Sequence, residues 1–391
     1  MLAIVCPGQG AQTPGFLDPW LELPGVATRL DWASALTGVD LRRAGTVAGD
    51  EEIRDTSVAQ PLLVASALAV AAELGAPDWP EGLGAVSGHS VGELTAAALS
   101  GALSDDTALG LVAARGRAMA AAAALTPTGM TAILGGDPDE VAGALARLGL
   151  IAANVNGAGQ VVAAGPVTAL DELAADPPAR ARLRRLAVAG AFHTAAMEPA
   201  RRTLEHLAGA LPVADPRIPV VSNADGAVVT SGPELLGRLI AQVSAPVRWD
   251  ACMATLGALG VTAVLELPPA GTLTGLIRRA LPDVVTLAIR TPEDLAAADG
   301  LIESHRGVRG EPGPAWRVVV APLGGTFRPD PLVPGTRLDV GSVVGSVEAR
   351  RETVPVASAH GGVLLEWLAE DGDPVGPGQP LARLHPEPVG L

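Results

Sequence analysis

The sequence predicts an α/β protein with a largely parallel sheet, an inserted ferredoxin-like subdomain and a separate C-terminal β-structure. Over residues 1–305, short apolar runs alternate with longer Ala- and Leu-rich periodic segments, which indicates alternating strands and helices. Between residues 126 and 192 the order becomes β-α-β-β-α-β, the ferredoxin-like pattern. A Gly- and Pro-rich stretch then precedes short β-runs. The predicted domains are residues 1–125 with 193–304, 126–192, a linker at 305–315, and 316–391.

The elements of the main domain follow from the spacing of apolar residues. Short runs bounded by turn residues predict strands at Leu2–Val5, Ala85–Ser87, Val220–Ser222 and Ala263–Leu267. Apolar residues three and four positions apart predict helices at Leu62–Leu74, Asp105–Ala124 and Asp250–Leu259. Asp55 and Ser104 stand where N-caps of two of these helices belong.

The inserted subdomain and the C-terminal region are read in the same way. Strands are predicted at Met130–Leu134, Ile151–Val155, Val161–Ala164 and Leu186–Ala189, with helices at about 138–148 and 167–184. Two similar halves, opened by Val318–Val320 and Val354–Val356, predict a small two-fold β-structure at the C-terminus.

Composition excludes several classes of function. The formal net charge is −15, so the chain as a whole is a poor ligand for nucleic acid or an anionic membrane. All 27 basic residues are Arg, which excludes Schiff-base chemistry, a P-loop lysine and attachment of biotin or lipoate to an amine. The two cysteines, Cys6 and Cys252, predict neither a disulfide framework nor a metal cluster. The segment from Met1 to Gly8 is typical of a first strand rather than a signal peptide, and we expect a cytoplasmic protein.

The strongest chemical motif is Gly88-His89-Ser90-Val91-Gly92. It follows a predicted strand and precedes a helical run, as a G-x-S-x-G nucleophile elbow does. A tight strand-to-helix turn crowds the backbone, so glycine is required on both sides of the serine. The helix N-terminus also offers N–H groups to a developing oxyanion. Ser90 is therefore the predicted nucleophile.

A nucleophilic serine needs a base, and His193 is the best placed of the six histidines. It is predicted to lie in a loop between a strand and a helix. His206 is in a charged helical segment, and His305, His360 and His385 are in the linker or the C-terminal region. The side chain of His89 is expected to leave the elbow in another direction.

Arg115 lies in an otherwise apolar helix that we expect to be largely buried. A buried guanidinium requires an acceptor, and a carboxylate is the usual one. Two interpretations remain open from the residues alone. Arg115 either forms a structural salt bridge or binds the carboxylate of a substrate through a bidentate fork.

Several motifs together resemble the malonyl-CoA:acyl carrier protein transacylases. They occur in the order and spacing of that family over residues 1 to about 290: Pro7–Gln12, Gly88–Glu93, Arg115–Arg117, Ala153–Gly157, Phe192-His193 and Ala245–Trp249. Such a protein has a hydrolase-like parallel-sheet core. Together these motifs distinguish the family from ordinary α/β-hydrolases, in which serine, acid and histidine follow one another along the chain in another order.

The resemblance implies a ping-pong acyl transfer from malonyl-CoA to the phosphopantetheine thiol of an acyl carrier protein, in fatty acid or polyketide synthesis. Ser90 would carry the malonyl ester, and His193 would move the proton. A backbone carbonyl near Pro246–Trp249 would orient His193, the backbone N–H groups of Gln9 and Val91 would form the oxyanion hole, and Arg115 would bind the malonyl carboxylate. No bound cofactor and no metal is implied.

The resemblance also implies determinants of specificity. Phe192, before the base, matches malonyl-selective members, because a bulky ring leaves less room for an α-methyl group. The carrier protein in this family is acidic, and a positive patch at Arg180, Arg182, Arg184 and Arg185 is expected to receive it. Arg184 and Arg185 are the residues of this patch that we assign to carrier binding.

The C-terminal region resembles biotinyl/lipoyl carrier domains over residues 316 to about 388. Ala321–Thr326 and Gly372–Pro380 match that pattern. Arg351 stands where the modified lysine belongs, and a guanidinium is no substitute nucleophile. The resemblance therefore implies a β half-barrel that carries neither biotin nor lipoate, used for interaction or packing.

Two other functions remain open from the sequence. The first is a serine hydrolase that cleaves acyl-CoA, against which Arg115 and the motif around Gln9 argue. The second is a non-catalytic scaffold acting through the C-terminal module, against which the Ser90 and His193 motifs argue.

Overall fold

The chain divides into two units, Met1–Gly310 and Glu311–Leu391. The structure is a computed structural model, and it describes residues 1–76, 79, 83–157, 159–305, 317–349, 352–359 and 361–385. Strands of the first unit are β1 Leu2–Cys6, β2 Leu83–Gly88, β3 Thr128–Gly135, β4 Ile151–Val155, β5 Gln160–Pro166, β6 Ala181–Arg185, β7 Val220–Val221, β8 Val228–Val229, β9 Val247–Arg248, β10 Ala263–Glu266 and β11 Val285–Ala288.

The α-helices surround these strands. They are α1 Pro24–Thr37, α2 Leu41–Thr46, α3 Asp50–Arg54, α4 Thr56–Glu73, α5 Gly92–Leu99, α6 Asp105–Ala123, α7 Pro138–Leu148, α8 Val167–Ala175, α9 Glu198–Ala208, α10 Gly232–Ala241, α11 Trp249–Ala258, α12 Thr272–Ala280 and α13 Leu295–Ser304. Short 3-10 helices lie at Asp18–Glu22, Ala195–Met197, Gln242–Ser244 and Pro292–Asp294.

The central sheet has the strand order β11-β10-β1-β2-β7-β8. Its pairs are parallel except β7 with β8. The apolar strand β1 lies in the middle with all five residues buried, as a parallel sheet covered on both faces requires. Because β2 ends at Gly88, the predicted nucleophile follows directly at the carboxyl edge of the sheet, where α/β proteins bind their ligands.

The helices α4 and α6 pack against each other beside this sheet. Asp55 caps α4 by accepting the N–H of Ser57, and Ser104 caps α6 by accepting that of Thr107, as predicted. Helix α4 is long and apolar enough to cross a membrane, but 78% of it is buried inside the structure. Its apolar composition is therefore that of a core helix.

The inserted subdomain has the predicted ferredoxin-like order, β3-α7-β4-β5-α8-β6. Its sheet runs β6-β3-β5-β4, and β9 extends it beside β4. Two boundaries were predicted wrongly. Helix α8 ends at Ala175 and not at 184, and the last strand is Ala181–Arg185 and not Leu186–Ala189. The pair Pro177-Pro178 prevents the helix from continuing, and the following segment pairs with the edge of β3 instead.

The second unit consists of antiparallel strands: β12 Arg317–Val320, β13 Gly325–Pro329, β14 Arg337–Leu338, β15 Val343–Glu348, β16 Thr353–Ala357, β17 Gly362–Trp367, β18 Pro374–Val375 and β19 Pro380–His385. They form two four-stranded sheets, β12-β19-β17-β14 and β16-β15-β13-β18, around a core that includes Phe327 and Leu364. The predicted β half-barrel is thereby confirmed. Strands β15 and β16 form a hairpin with Glu348 opposite Thr353, and Arg351 falls outside the described residues.

Candidate active site

The turn between β2 and α5 is strained around Ser90. Ser90 has a φ of 53°, in the left-handed region that non-glycine residues rarely adopt. A Cβ atom on Gly88 would lie 2.0 Å from the carbonyl carbon of Gly92, and one on Gly92 would lie 2.2 Å from the carbonyl oxygen of Cys6. Both glycines are therefore required for this close backbone approach. The turn projects Ser90 from the sheet edge, as a nucleophile elbow does.

The Ser90 hydroxyl is hydrogen-bonded to His193. Ser90 Oγ lies 2.7 Å from His193 Nε2, and His193 Nδ1 lies 2.8 Å from the backbone oxygen of Gln242. A carbonyl oxygen only accepts, so Nδ1 carries the proton and Nε2 presents a lone pair to Ser90. Gln242 precedes the predicted segment Pro246–Trp249 by four residues. The orienting group is therefore a backbone carbonyl, which replaces the acid of a catalytic triad.

His193 is held in its neutral form. The residue is buried, and burial lowers the pKa of its imidazole to about 3, with the positive charge of Arg115 acting in the same direction. Near neutral pH the imidazole is therefore unprotonated. It can accept the Ser90 proton as a general base.

The Arg115 guanidinium is buried beside the nucleophile. Nη1 donates to Gln60 Oε1 at 2.6 Å, and Nη2 donates to Gln242 Oε1 at 3.0 Å and to Ser90 Oγ at 3.4 Å. Burial lowers its pKa to about 10, so it stays protonated near neutral pH. Within the described part of the chain no carboxylate lies at salt-bridge distance from it. The guanidinium is thus held by neutral acceptors, and the Glu93 carboxylate acts on its charge only from beyond salt-bridge distance.

The residues predicted for an oxyanion hole lie beside Ser90. A Cβ atom on Gly8 would lie 2.5 Å from the backbone oxygen of His89, so the first loop passes directly over the elbow. The Gln9 side chain donates to the backbone oxygen of Arg54 at 3.1 Å, which fixes this loop. Gln9, Ser90 and Val91 line one cavity, and the N–H groups of Gln9 and Val91 have no acceptor among the described residues.

This cavity has a volume of about 460 Å³ and lies between the main core and the inserted subdomain. Apolar side chains form much of its wall, with a few amides and one guanidinium among them, as in most small-molecule sites. Its lining includes Gln9, Gln60, His89, Ser90, Val91, Met130, Asn154, Asn156, Gln160, Arg184, Phe192, His193, Thr272, Leu273 and Leu276.

Of the remaining predicted residues, Phe192 and Arg184 lie at the cavity and Arg185 does not. Phe192 is buried and lines the cavity next to the base. Arg184 also lines the cavity. Arg185 follows it on a strand and points to the other face, where it forms an ion pair with Asp171 at 3.1 Å. The structure therefore brings Arg184, but not Arg185, to the cavity.

Sequence reasoning missed three side chains that organise the site: Gln60, Asn223 and Gln242. Asn223 Oδ1 accepts the backbone N–H of Ser90 at 2.8 Å, and Asn223 Nδ2 donates to the backbone oxygen of Gly88 at 2.7 Å. Amide residues at such distant positions have no characteristic spacing. Gln242 lies three residues before Ala245, and its proximity to the motif Ala245–Trp249 is the only feature of the sequence that points to it. No group of three or more potential metal ligands occurs among the described residues.

Fold and site define the class of protein. A strained serine on a sheet-edge elbow, a neutral histidine oriented by a carbonyl and a buried cation beside the serine are the parts of a serine acyltransferase for acidic acyl groups.

Comparison with known proteins gives the same class. Residues 4–295 match the acyl transferase domain family. The chain is 50% identical over 296 residues to the malonyl CoA-acyl carrier protein transacylase of Mycobacterium bovis. This alignment covers 75% of this chain and 98% of that protein. The crystal structure of the enzyme from Mycobacterium tuberculosis superposes with a TM-score of 0.74 at 49% identity, covering 76% of this chain and 99% of that chain.

A further solved structure is a malonyl-transacylase in complex with a type II polyketide synthase acyl-carrier protein. It has a TM-score of 0.70 at 31% identity and covers 77% of this chain and 99% of that one. The chain belongs to the malonyl CoA-acyl carrier protein transacylases, within the acyl transferase domain family.

Proposed function

We propose that the chain transfers a malonyl group from malonyl-CoA to the phosphopantetheine thiol of an acyl carrier protein, through an ester on Ser90. The observation that carries this function is the arrangement around Ser90 Oγ. A neutral histidine lies 2.7 Å away, and a buried guanidinium that has no carboxylate partner among the described residues lies 3.4 Å away. The product supplies fatty acid or polyketide synthesis.

In the first half-reaction, Ser90 Oγ attacks the thioester carbon of malonyl-CoA while His193 Nε2 takes the hydroxyl proton. The oxyanion of the tetrahedral intermediate is stabilised by the backbone N–H groups of Gln9 and Val91. When the intermediate collapses, the carbon–sulfur bond breaks and His193 returns the proton to the departing CoA thiolate. Malonyl-Ser90 remains.

The second half-reaction repeats these steps with the carrier thiol as the nucleophile. His193 takes the thiol proton, the sulfur attacks the ester, and the bond to Ser90 Oγ breaks. The proton then passes to Ser90. Because the backbone oxygen of Gln242 holds the imidazole by Nδ1, His193 Nε2 both accepts and returns the proton in each half-reaction.

Selectivity rests on two further groups. The Arg115 guanidinium binds the free malonyl carboxylate, which needs a fork-shaped donor. The Phe192 ring next to the base narrows the acyl pocket against an α-methyl group, which is worth only about 1–3 kcal/mol.

The carrier protein is proposed to approach through arginines at the cavity mouth. Arg184 lines the cavity from β6, whereas Arg185 is paired with Asp171 on the other face of that strand and is left out of this approach. Arg278 and Arg279 are exposed in the last turn of α12, whose Thr272 and Leu276 line the same cavity. These charges would make the cavity mouth locally positive, although the net charge of the chain, −15, repels an acidic partner.

The reaction needs no bound cofactor. We propose further that the C-terminal unit carries neither biotin nor lipoate, since Arg351 occupies the lysine position. We also propose a cytoplasmic location. Both cysteines are free and buried, which suits a reducing compartment.

The test is the mass of the intact protein after mixing with malonyl-CoA, and again after adding a carrier protein that bears its thiol. A malonyl adduct that is absent in Ser90→Ala and moves to the carrier is the expected result. An adduct lost to water equally fast without the carrier would indicate a hydrolase instead. Absence of any adduct would favour a scaffold acting through the C-terminal unit.

A further inference from the structure

Glu93 is a buried carboxylate that the proposed reaction steps leave unused. It is 1% exposed and lies in the first turn of α5, three residues after the nucleophile. One carboxylate oxygen accepts the backbone N–H of Asn223 at 2.6 Å. The other accepts the side-chain amide of Gln242. A buried carboxylate without a role would be costly, so its partners indicate what it does.

Those two partners lead to the reacting groups. Gln242 Oε1 accepts from Arg115 Nη2 at 3.0 Å, and the backbone oxygen of the same Gln242 orients His193 at 2.8 Å. Asn223 Oδ1 holds the backbone N–H of Ser90 at 2.8 Å. Glu93 is thus one residue removed from the nucleophile, the base and the malonate-binding guanidinium.

The direction of these hydrogen bonds follows from donor and acceptor chemistry. Gln242 Nε2 faces three acceptors, the Glu93 carboxylate, Asn223 Oδ1 at 3.2 Å and the Ser90 backbone oxygen at 3.4 Å, so its NH₂ group points to them and its carbonyl oxygen points to Arg115. Arg115 only donates, so the carbonyl oxygen is the single end of Gln242 that can hold it. The Glu93 carboxylate is therefore one of the acceptors that set the orientation of the amide that holds the guanidinium.

We propose that Glu93 is a positioning residue for malonyl selectivity, which holds Arg115 through the neutral side chain of Gln242 and so fixes the guanidinium without neutralising it. This inference rests on the proposed function. A carboxylate directly on Arg115 would compete with the malonyl carboxylate. The interposed amide avoids that competition while keeping the guanidinium in place.

The variant Glu93→Gln reverses the hydrogen-bond direction. The Asn223 N–H is a fixed donor, so the substituted amide side chain would give it its oxygen and turn its NH₂ to Gln242. The Gln242 NH₂ would then face this second NH₂. If Gln242 turned over, its NH₂ would face Arg115 and its oxygen would face Asn223 Oδ1 and the Ser90 carbonyl, so both orientations oppose like groups and displace the guanidinium. We expect the KM for malonyl-CoA to rise about 10- to 100-fold, the range for losing a hydrogen bond to a charged group. Acylation of Ser90 by acetyl-CoA, which has no carboxylate, should change much less.

The swapped double variant, Glu93→Gln with Gln242→Glu, exchanges the carboxylate and the amide. It tests the position of the Arg115 guanidinium separately from the availability of its charge. It restores an acceptor opposite Arg115, so thermal stability should recover relative to Glu93→Gln. It also places a carboxylate directly on the guanidinium, so the KM for malonyl-CoA should stay raised at least about tenfold.

The experiment measures Ser90 acylation by malonyl-CoA and by acetyl-CoA with rapid quench and intact mass. It is run at about pH 9, because burial raises the pKa of Glu93 to about 8. Glu266→Gln is the matched control. Glu266 is equally buried, but its carboxylate accepts the N–H groups of Gly271, Leu273 and Thr274 at 2.8–2.9 Å and has no hydrogen bond to Asn223 or Gln242 among the described residues. That variant should lose stability and keep the wild-type ratio of malonyl to acetyl transfer.

Two results would overturn the proposal. One is a Glu93→Gln variant that loses malonyl and acetyl transfer by the same factor, which a merely structural role predicts. The other is a wild-type KM for malonyl-CoA in the swapped double variant. This result would overturn the proposal even if the single variant Glu93→Gln does not fold. Failure of the wild type to form malonyl-Ser90 in the same assay would instead contradict the proposed function.

Discussion

At the scale of single residues, Arg115 is the group that we propose to select the acyl group. The neutral side chains of Gln60 and Gln242 accept from its guanidinium at 2.6 and 3.0 Å, so no carboxylate is in contact with its charge among the described residues. We expect Arg115→Ala to lower kcat/KM for malonyl-CoA by about 30- to 5,000-fold, as for removal of one partner from a buried charge pair. The preference for malonyl over acetyl should fall with it, measured as the ratio of the two kcat/KM values.

The control for this variant lies two residues further along α6. Arg117→Ala removes an exposed guanidinium whose contact is the backbone oxygen of Thr37 at 3.4 Å. It should leave the malonyl preference unchanged. A malonyl preference retained in Arg115→Ala would remove Arg115 from carboxylate binding.

The charge of Arg115 also acts on the base. It disfavours the imidazolium and so lowers the pKa of His193, after burial the next largest cause. Acylation needs neutral His193, so activity is lost only as the pH falls through that pKa. The wild-type kcat/KM for acetyl-CoA should therefore stay nearly constant from about pH 7 to pH 5, whereas an unperturbed histidine would titrate near 6.5.

Arg115→Ala removes one of the causes that lower the pKa of His193. The acid limb of the same profile should accordingly move to higher pH in that variant. Profiles of wild type and Arg115→Ala that superimpose would show that the two groups are not coupled. Circular dichroism at each pH distinguishes titration from acid unfolding.

At the scale of elements, the elbow between β2 and α5 depends on backbone contact rather than on side chains. A Cβ atom at Gly92 would lie 2.2 Å from the Cys6 oxygen and 2.8 Å from the Pro7 oxygen, neither of which belongs to a movable side chain. Gly92→Ala should lower the free energy of unfolding by about 2–3 kcal/mol and reduce Ser90 acylation.

Gly110→Ala is the comparison for the elbow variant. Gly110 is exposed in α6, and a Cβ atom there would have no neighbour within 4 Å. This substitution should stabilise the protein by about 0.5–1 kcal/mol, because alanine loses less backbone entropy in a helix. Urea unfolding followed by circular dichroism measures both. Equal effects of the two substitutions would contradict the packing argument.

The elements also show where sequence reasoning works and where it stops. The elbow and the apolar strand β1 could be predicted because a local pattern dictates each. The segment from Ala181 to Arg185 could not, since Ala, Arg and Leu favour a helix while pairing with β3 makes it a strand. Tertiary pairing overrides local propensity there. Arginines suit such an edge strand, because charge discourages further pairing.

The same limit applies to the site. Ser90 and His193 stand in motifs with a fixed relation to a turn or a loop, so they could be predicted from the sequence as candidates. Gln242 and Asn223 act through amides that reach the elbow from more than 130 positions further along the chain. Only the fold brings them within 2.8–3.4 Å of the Ser90 backbone. Their role could therefore not be predicted from spacing.

At the scale of the whole molecule, the catalytic machinery and the C-terminal unit are separable in the chain. The acyl transferase match ends at residue 295, and 98% of the Mycobacterium bovis relative is covered by 75% of this chain. The main hydrophobic cores and all the site residues described lie in the first unit, whereas the second has its own core around Phe327.

A chain of residues 1–305 should therefore keep malonyl transfer within about twofold of the full-length kcat/KM, because no group that binds or moves the acyl chain is removed. The assay uses the same carrier protein for both chains, with Ser90→Ala as the inactive reference. Normal malonyl-Ser90 formation with slow transfer to the carrier would give the C-terminal unit a part in carrier recognition. Loss of the Ser90 adduct itself, with circular dichroism unchanged, would contradict the independence of the two units, because all the residues that we propose for acylation lie in the first.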